Sequence, residues 1–426
     1  MLTSLFVERF HFPATLRGPL RDLAAREGVV HANSEGELYG LAPFTPLDLG
    51  ALEDHGAHRA ALKVLRGCTT LGVEGPALSS PRIHAALPFN PAERALGLLP
   101  AIQATIIGDE GWLTILGTSP EEVHRLYDTV LERLDSPVTT PPSTGGDLTV
   151  LERPGPQGYQ TMVASAMDLI NAGALEKVVL SRSVDLRADH DFDLARILST
   201  MAEREPSCTL YAIPVDDARL IGASPELLLK LDQGIVTSHP LAGTISLTAH
   251  GAAEELAASG KDLEEHRLVV VDIAARLADA VEDLDVPTKP TLVALRSVAH
   301  LGTTISAKLS PTSKFDSLDL LARIHPTPAI EGVPHAQSRA VIQELEDGPR
   351  GLFGGAVGWI NASGDGEWVL GIRGALVSEN EAVVRAGAGI VTGSTPEGEA
   401  EETRVKLSSI LEAIEPGAST QLDLIG

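Results

Sequence analysis

Several residues have types and spacings able to move a proton or hold a cation. Lys177 precedes the apolar run Val178-Val179-Leu180. A lysine entering a buried strand can act as a general base once burial or nearby positive charge lowers its pKa. Glu226, in Ser224-Pro225-Glu226-Leu227-Leu228-Leu229, heads an apolar run and is a candidate for a carboxylic acid held protonated. Glu399, Glu402 and Lys406 stand at i, i+3 and i+7 and project from one helix face. Hard carboxylate oxygens at that spacing suit Mg²⁺, which accepts one or two carboxylates plus substrate oxygens and water. Asp262, Glu264 and Glu265, followed by His266, form a second acidic cluster in which Asp262 and Glu265 share a face. Each feature also has a plainer reading: a strand-edge lysine, a turn glutamate, a solvated acidic face, or acids placed to meet a helix dipole. Spacing alone leaves both open.

Other chemistries lack support. There is no G-x-S-x-G and no H-E-x-x-H. The stretch Gly387-Ala388-Gly389-Ile390-Val391-Thr392-Gly393 is neither the dinucleotide fingerprint nor a P-loop, and reads as a glycine-rich loop feeding a helix. Its backbone N–H groups could bind a carboxylate, or its glycines could simply allow a tight turn. Cys68 and Cys208 form no disulfide framework or metal motif, and read as two buried thiols in a reducing cytoplasm. The 13 histidines show no ligand spacing.

The elements that must position these groups emerge from periodicity. Tyr159, Val163, Ala166 and Ile170 recur at helical spacing, and Gly173 closes that helix. Short strands are expected at Thr209–Pro214, Ala218–Gly222 and Glu226–Leu231, and a long helix from Asp262 to Glu282. Leu352–Ile360 and Val369–Val377 flank a turn at Asn361–Glu367, a hairpin by composition. Pro396 behind Ser394-Thr395 starts a final helix to about Ile414. Many strands with hairpin turns and a few long helices indicate an α+β fold, mostly antiparallel.

At 426 residues the chain exceeds what one simple core supports. The stretch Asp135–Asp147, DSPVTTPPSTGGD, divides it into residues 1–135, a linker or surface loop at 136–147, and a catalytic part at 148–426. A net charge of −25 repels phosphate backbones, so nucleic acid and anionic membranes are poor partners. No apolar run reaches the ~18 residues of a membrane-spanning helix, and the polar N-terminus reads as mature cytoplasmic protein.

In order along the chain, KVVLSR (177–182), SPELLL (224–229), PLAGT (240–244), KDLEEH (261–266), HLGT (300–303) and HPTPAIEGVP (325–334) are followed by RGLFGGAVGW (350–359), GDGEWVLGIR (364–373), GAGIVTG (387–393) and EETRVK (401–406). Together they resemble the chorismate-utilising enzymes, and within these the branch that forms isochorismate. The resemblance is dense from about Tyr159 to Leu411 and thins upstream to ALPFNP (86–91).

It implies a large α/β/β/α sandwich with its active site between layers. It further implies that Lys177 activates the water that attacks ring carbon 2 of chorismate and that Glu226 protonates the departing 4-hydroxyl. Glu265, Glu399 and Glu402, with Asp262 nearby, would hold Mg²⁺. Arg373, Lys406, Gly387 and Gly389 would bind the substrate's carboxylates, while Thr244, His300, Ala329, Ile330 and Phe353 would line the pocket. Monomers are common among the enzymes it resembles. Ammonia-using relatives usually carry glutamine where Lys177 stands. Salicylate synthases tend to have a hydroxyl-bearing residue at the position of Ala329 and tyrosine at that of Phe353. Isochorismate formation by an isomerase is therefore expected ahead of a salicylate synthase or a non-catalytic chorismate binder. Glu331 departs from the usual small residue there, and Ile245-Ser246-Leu247 follows the Pro240–Thr244 loop where a basic residue is usual.

Overall fold

Lys177 opens the strand Lys177–Ala188, the axis on which the site is built. The computed structural model describes residues 5–72, 75–135, 147–247 and 251–422, so 136–146 of the expected linker lie outside the described residues. Along one edge Lys177–Ala188 pairs with Glu381–Ile390, and at its own ends with Leu148–Arg153 and Gly332–Val333. Twenty strands join into one hydrogen-bonded sheet system, and a separate three-stranded sheet contains Leu241–Ser246, Val298–Gly302 and Thr291–Ala294. Among the described strands every pairing is antiparallel except Phe6–Pro13 with Thr69–Leu71. Strands from before residue 135 belong to the same system: Val29–Ala32 pairs with Thr209–Val215, and Arg82–Leu87 with Ala356–Asn361.

Two apolar cores give the α/β/β/α layering. The helices Pro156–Asn171, Gly260–Leu277 and Ser317–Ile324 pack into one; Arg17–Glu27, Leu194–Arg204 and most of Pro396–Ile414 pack into the other. The stripe Tyr159, Val163, Ala166 and Ile170 is buried in the first core. Burying a valine- or isoleucine-sized side chain contributes roughly 1.5–3 kcal/mol, more than the local propensity of any one residue. Gly173 ends that helix at φ +76°, a conformation glycine adopts without strain.

Most expected elements stand where the periodicity puts them, and the final helix, Pro396–Ile414, has the expected bounds. Several expectations need correction: residues 352–355 are turn ahead of the strand Ala356–Asn361, and Val369–Val377 is split between the strands Gly366–Leu370 and Gly374–Ser378. The long helix ends at Leu277 although Ala280 beyond it stays buried, and Glu282 begins a short strand that pairs with Ile305–Lys308. The glycine-rich stretch is no loop over its first half: Gly387–Ile390 finishes the strand Glu381–Ile390. Pro240–Thr244 is likewise largely strand, with Leu241–Ser246 bulged around Gly243. Cys208 is buried but Cys68 only half-buried, and both are free thiols.

Candidate active site

The two outer strands of the site meet in register, with Gly389 opposite Val179 and Gly387 opposite Ser181. Alternation along Glu381–Ile390 sends Ala382, Val384 and Ala386 into a core, so residues 385, 387 and 389 face the other way. There they wall a cavity with an empty volume of about 670 Å³. Of the residues expected from sequence, Glu226, Thr244, Glu265, His300, Ala329, Ile330, Phe353, Arg373, Gly387, Gly389, Glu402 and Lys406 line it. Lys177, Glu399 and Asp262 sit behind this wall.

Lys177 is fully buried, with its Nζ 3.0 Å from Glu265 Oε1. Gly389 is what allows that approach. A Cβ there would fall 2.1 Å from Glu265 Oε1 and 3.0 Å from Lys177 Cε. Gly389→Ala is therefore expected to displace Glu265 and to abolish most turnover while the melting temperature moves little; comparing turnover with thermal melts checks this. Turnover close to wild type would show that the wall yields.

Glu226 lies between the strands Ala218–Ser224 and Leu227–Asp232, and its Oε1 is buried without a hydrogen-bond partner. Burial pushes its carboxyl up to about 8, against the pull of the Leu241 backbone N–H and the charges of Lys177 and Lys406. It is thus mostly protonated at neutral pH and able to give up a proton.

The carboxylates expected to share a cation are each held by an ammonium group. Glu265 faces Lys177; Lys261 Nζ donates to Glu399 Oε1 at 2.7 Å; Lys406 Nζ donates to Glu402 Oε1 at 2.6 Å and to the Gly387 carbonyl at 2.9 Å. Glu399 Oε2 is nevertheless buried without a partner, and burial together with the charge of Glu402 pushes the Glu399 carboxyl upward. Asp262 accepts from Ser259 Oγ at 2.5 Å, and burial raises its carboxyl too.

Across the cavity, Thr244 and His300 are cross-strand partners, with Thr244 Oγ1 3.0 Å from His300 Nδ1. Burial, Arg373 and Lys406 hold His300 well below the usual imidazole range, so it is neutral. Arg373 Nη2 donates to His300 Nε2 at 3.2 Å, which places the ring proton on Nδ1.

Glu331 does not intrude on the cavity. Fully buried, it accepts from His335 Nδ1 and Arg339 Nε, each at 2.6 Å. His335 also meets Asp272 through Nε2 at 2.9 Å, with Arg276 beside it. Hydrogen bonds to Asp272 and Glu331 raise its imidazolium to about 9. A raised folded pKa stabilises the protein fully below about 6.5, and the contribution is lost as pH climbs through 9. The melting-temperature gap between wild type and His335→Gln should therefore shrink from pH 6 to pH 9.5; a gap that stays constant would contradict this charge assignment.

Among the described residues, one group of histidine and carboxylates already has its ligand atoms within 4.8 Å of one another: His58, Asp316 and Asp319. It does not line this cavity. Asp316 and Asp319 form a capping box at the start of Ser317–Ile324, with His58 and Arg59 bonded to them.

Two residues with no role assigned from sequence belong to the site. Lys261 was visible only as part of KDLEEH. Arg385 lines the cavity two positions before Gly387, so strand alternation through GAGI would have found it.

The model of the family described as "Chorismate binding enzyme" matches residues 83–415. The chain belongs to this family of chorismate-binding enzymes. Family members similar to it include the isochorismate synthase EntC of Escherichia coli K12, 40% identical over 273 residues that span 62% of this chain and 69% of that protein. The isochorismate synthase DhbC of Bacillus subtilis is 37% identical over 273 residues, spanning 61% and 68%. Among solved structures, one described as a 2,3-dihydroxybenzoate-specific isochorismate synthase of Bacillus anthracis superposes with a TM-score of 0.77. It is 29% identical and spans 94% of this chain and 99% of that one. The menaquinone-specific isochorismate synthase MenF of Escherichia coli shares the fold at TM-score 0.80 and 24% identity, spanning 97% of this chain and 95% of that one. No described helix is long and apolar enough to cross a membrane.

Proposed function

We propose that the chain is an isomerase that converts chorismate to isochorismate. The observation that carries the reading is one cavity that holds the buried carboxyl of Glu226, protonated at neutral pH, with the buried amine of Lys177 just behind its wall. Moving a hydroxyl around a ring requires such a base and acid, and no change of oxidation state. Lys177 takes a proton from water as the water oxygen bonds to ring carbon 2. The diene electrons shift toward carbon 4, the C4–O bond breaks, and Glu226 gives its proton to the departing hydroxyl. One water enters and one leaves.

Glu265, Glu399 and Glu402 are the residues that would hold Mg²⁺, with Asp262 nearby. The partnerless buried Oε2 of Glu399 and the all-oxygen donor set support that fit. Bound there, the ion would supply counter-charge for the substrate's ring carboxylate. Arg373, Lys406 and the strand face at Gly387 and Gly389 bind and orient the dianion. Neutral His300, fixed by Arg373 and Thr244, shapes the pocket with Ala329, Ile330 and Phe353. A monomer working in the cytoplasm completes the proposal.

The test is incubation of the purified protein with chorismate, with and without Mg²⁺ and without an amine donor, products being identified by NMR. Isochorismate that forms only with Mg²⁺, in a reversible mixture, is the expected result. Salicylate and pyruvate would instead assign pyruvate elimination to the same site, and absence of turnover would leave a binding protein.

A further inference from the structure

His335 stands at a position that its own helix does not favour. It opens His335–Leu345, where Pro334 supplies no side-chain cap and the first turn holds no acidic residue. A cation at the first position of a helix opposes the helix dipole. Hydrogen bonds to Asp272 and Glu331 nevertheless hold its imidazolium up at about 9, so it is charged at neutral pH. The charge is kept there by carboxylates from elsewhere in the fold.

Those carboxylates belong to the two elements that carry Glu265 and Lys177. Asp272, 2.9 Å from His335 Nε2, lies on the helix Gly260–Leu277, seven residues after Glu265. Seven residues make two turns, so both acids project from one side of that helix, about 10 Å apart along its axis. Glu331, 2.6 Å from His335 Nδ1, begins the segment that grips the Lys177 strand. The Val179 N–H donates to the Glu331 carbonyl at 2.9 Å, Gly332 and Val333 pair with Val178 and Lys177, and the Glu176 N–H donates to the Val333 carbonyl at 2.8 Å. Ser338, in the first turn after His335, donates through Oγ to the Lys177 carbonyl at 3.0 Å.

One imidazolium therefore ties the helix of Glu265 to the segment paired with the Lys177 strand. Arg276 makes a second tie, to the Ile324 and Pro326 carbonyls at 3.2 Å each, but it grips the chain before the stretch that pairs with Lys177. The contact between Lys177 Nζ and Glu265 Oε1 spans 3.0 Å. A relative slide of about 1 Å between helix and strand takes it out of hydrogen-bond range.

We infer that His335 is a positioning residue: bonded to Asp272 and Glu331 at once, it sets the separation between the helix Gly260–Leu277 and the Lys177 strand, and so keeps Lys177 against Glu265. The inference rests on the reading of Lys177 as the base. When His335 is replaced, Arg339 Nε still bonds Glu331 at 2.6 Å and Arg276 still stands 3.4 Å from Asp272, so His335→Leu should fold.

The experiment compares wild type, His335→Leu, His335→Lys and Asp272→Ala well below their melting temperatures, with the folded fraction of each fixed by circular dichroism. Crystal structures of wild type and His335→Leu give the separation of Lys177 Nζ from Glu265 Oε1. Steady-state kinetics with chorismate give KM and the kcat per folded molecule. In His335→Leu, which bonds to neither carboxylate, the separation should exceed about 3.5 Å. Its kcat per folded molecule should fall about 10- to 100-fold, with KM changed by less than about threefold. His335→Lys, whose ammonium can donate to both carboxylates, should recover part of that loss. The double variant His335→Leu with Asp272→Ala should be at most about twofold slower than the slower single variant, since both break one bridge. A role in stability alone would lower the melting temperature and leave kcat per folded molecule within about twofold of wild type. That result, or a kcat loss with the pair still about 3 Å apart, overturns the proposal. Should His335→Leu not fold, Asp272→Ala, which leaves Glu331 both its partners, carries the same comparison. If wild type converts no chorismate, the catalytic reading fails and the crystallographic separation decides alone: a pair still closed in His335→Leu removes the bridge.

Discussion

Lys177→Ala is expected to remove isochorismate formation, lowering kcat by about 10²–10⁴-fold, the usual weight of a positioned general base. The side chain is fully buried and the carboxylate paired with it, Glu265, is itself buried, so the substitution also strips an ion pair from the interior. Breaking such a pair costs about 3–5 kcal/mol, and alanine alone would confuse a lost base with a loosened site. Lys177→Arg separates them. Arginine keeps the charge beside Glu265 but does not deprotonate in proteins. A folded Lys177→Arg variant without activity supports proton abstraction at this atom, whereas more than about a tenth of wild-type turnover would assign the base elsewhere.

Glu226 carries the second large effect, with a pH signature of its own. Its carboxyl, raised by burial to about 8, is protonated below that pH and ionised above it. The acid form is the one that can donate to a leaving hydroxyl, so wild-type kcat should fall as pH rises through about 8. Glu226→Gln keeps the shape and removes the transferable proton. It should cost about 10²–10⁴-fold in kcat and abolish that alkaline limb. A mutant profile that still falls near pH 8 would place the titrating acid on another residue.

Local patterns were legible in the sequence wherever side chains report on their surroundings. The final helix was found because Thr395-Pro396 marks its start, and its Oγ1 cap on Gly398 is present. Lys177 and Glu226 stood out because a charge at the head of an apolar run is anomalous. GAGI was mistaken for a loop since residues without sizeable side chains cannot display a strand's alternation. Which lysine meets which glutamate was not legible, because Lys261 and Glu399 come from helices far apart in the chain. Arg385 was passed over for the same reason as GAGI: with that stretch read as a loop, no strand alternation was carried back to it.

The strand Arg82–Leu87 has a consequence for how the chain is made. Its long-side partner, Ala356–Asn361, lies most of the chain downstream, while its earlier partner Arg94–Ile107 engages it only through His84 and Ala85. At roughly 5–20 residues per second of synthesis, that edge waits on the order of 10–50 s on the ribosome before its mate exists. Meanwhile its backbone groups and the apolar side chains of Ile83 and Leu87 are open to other strands. Newly made chains therefore need dilution or a chaperone during this interval, and overexpression at high temperature is where their losses to aggregation will be greatest.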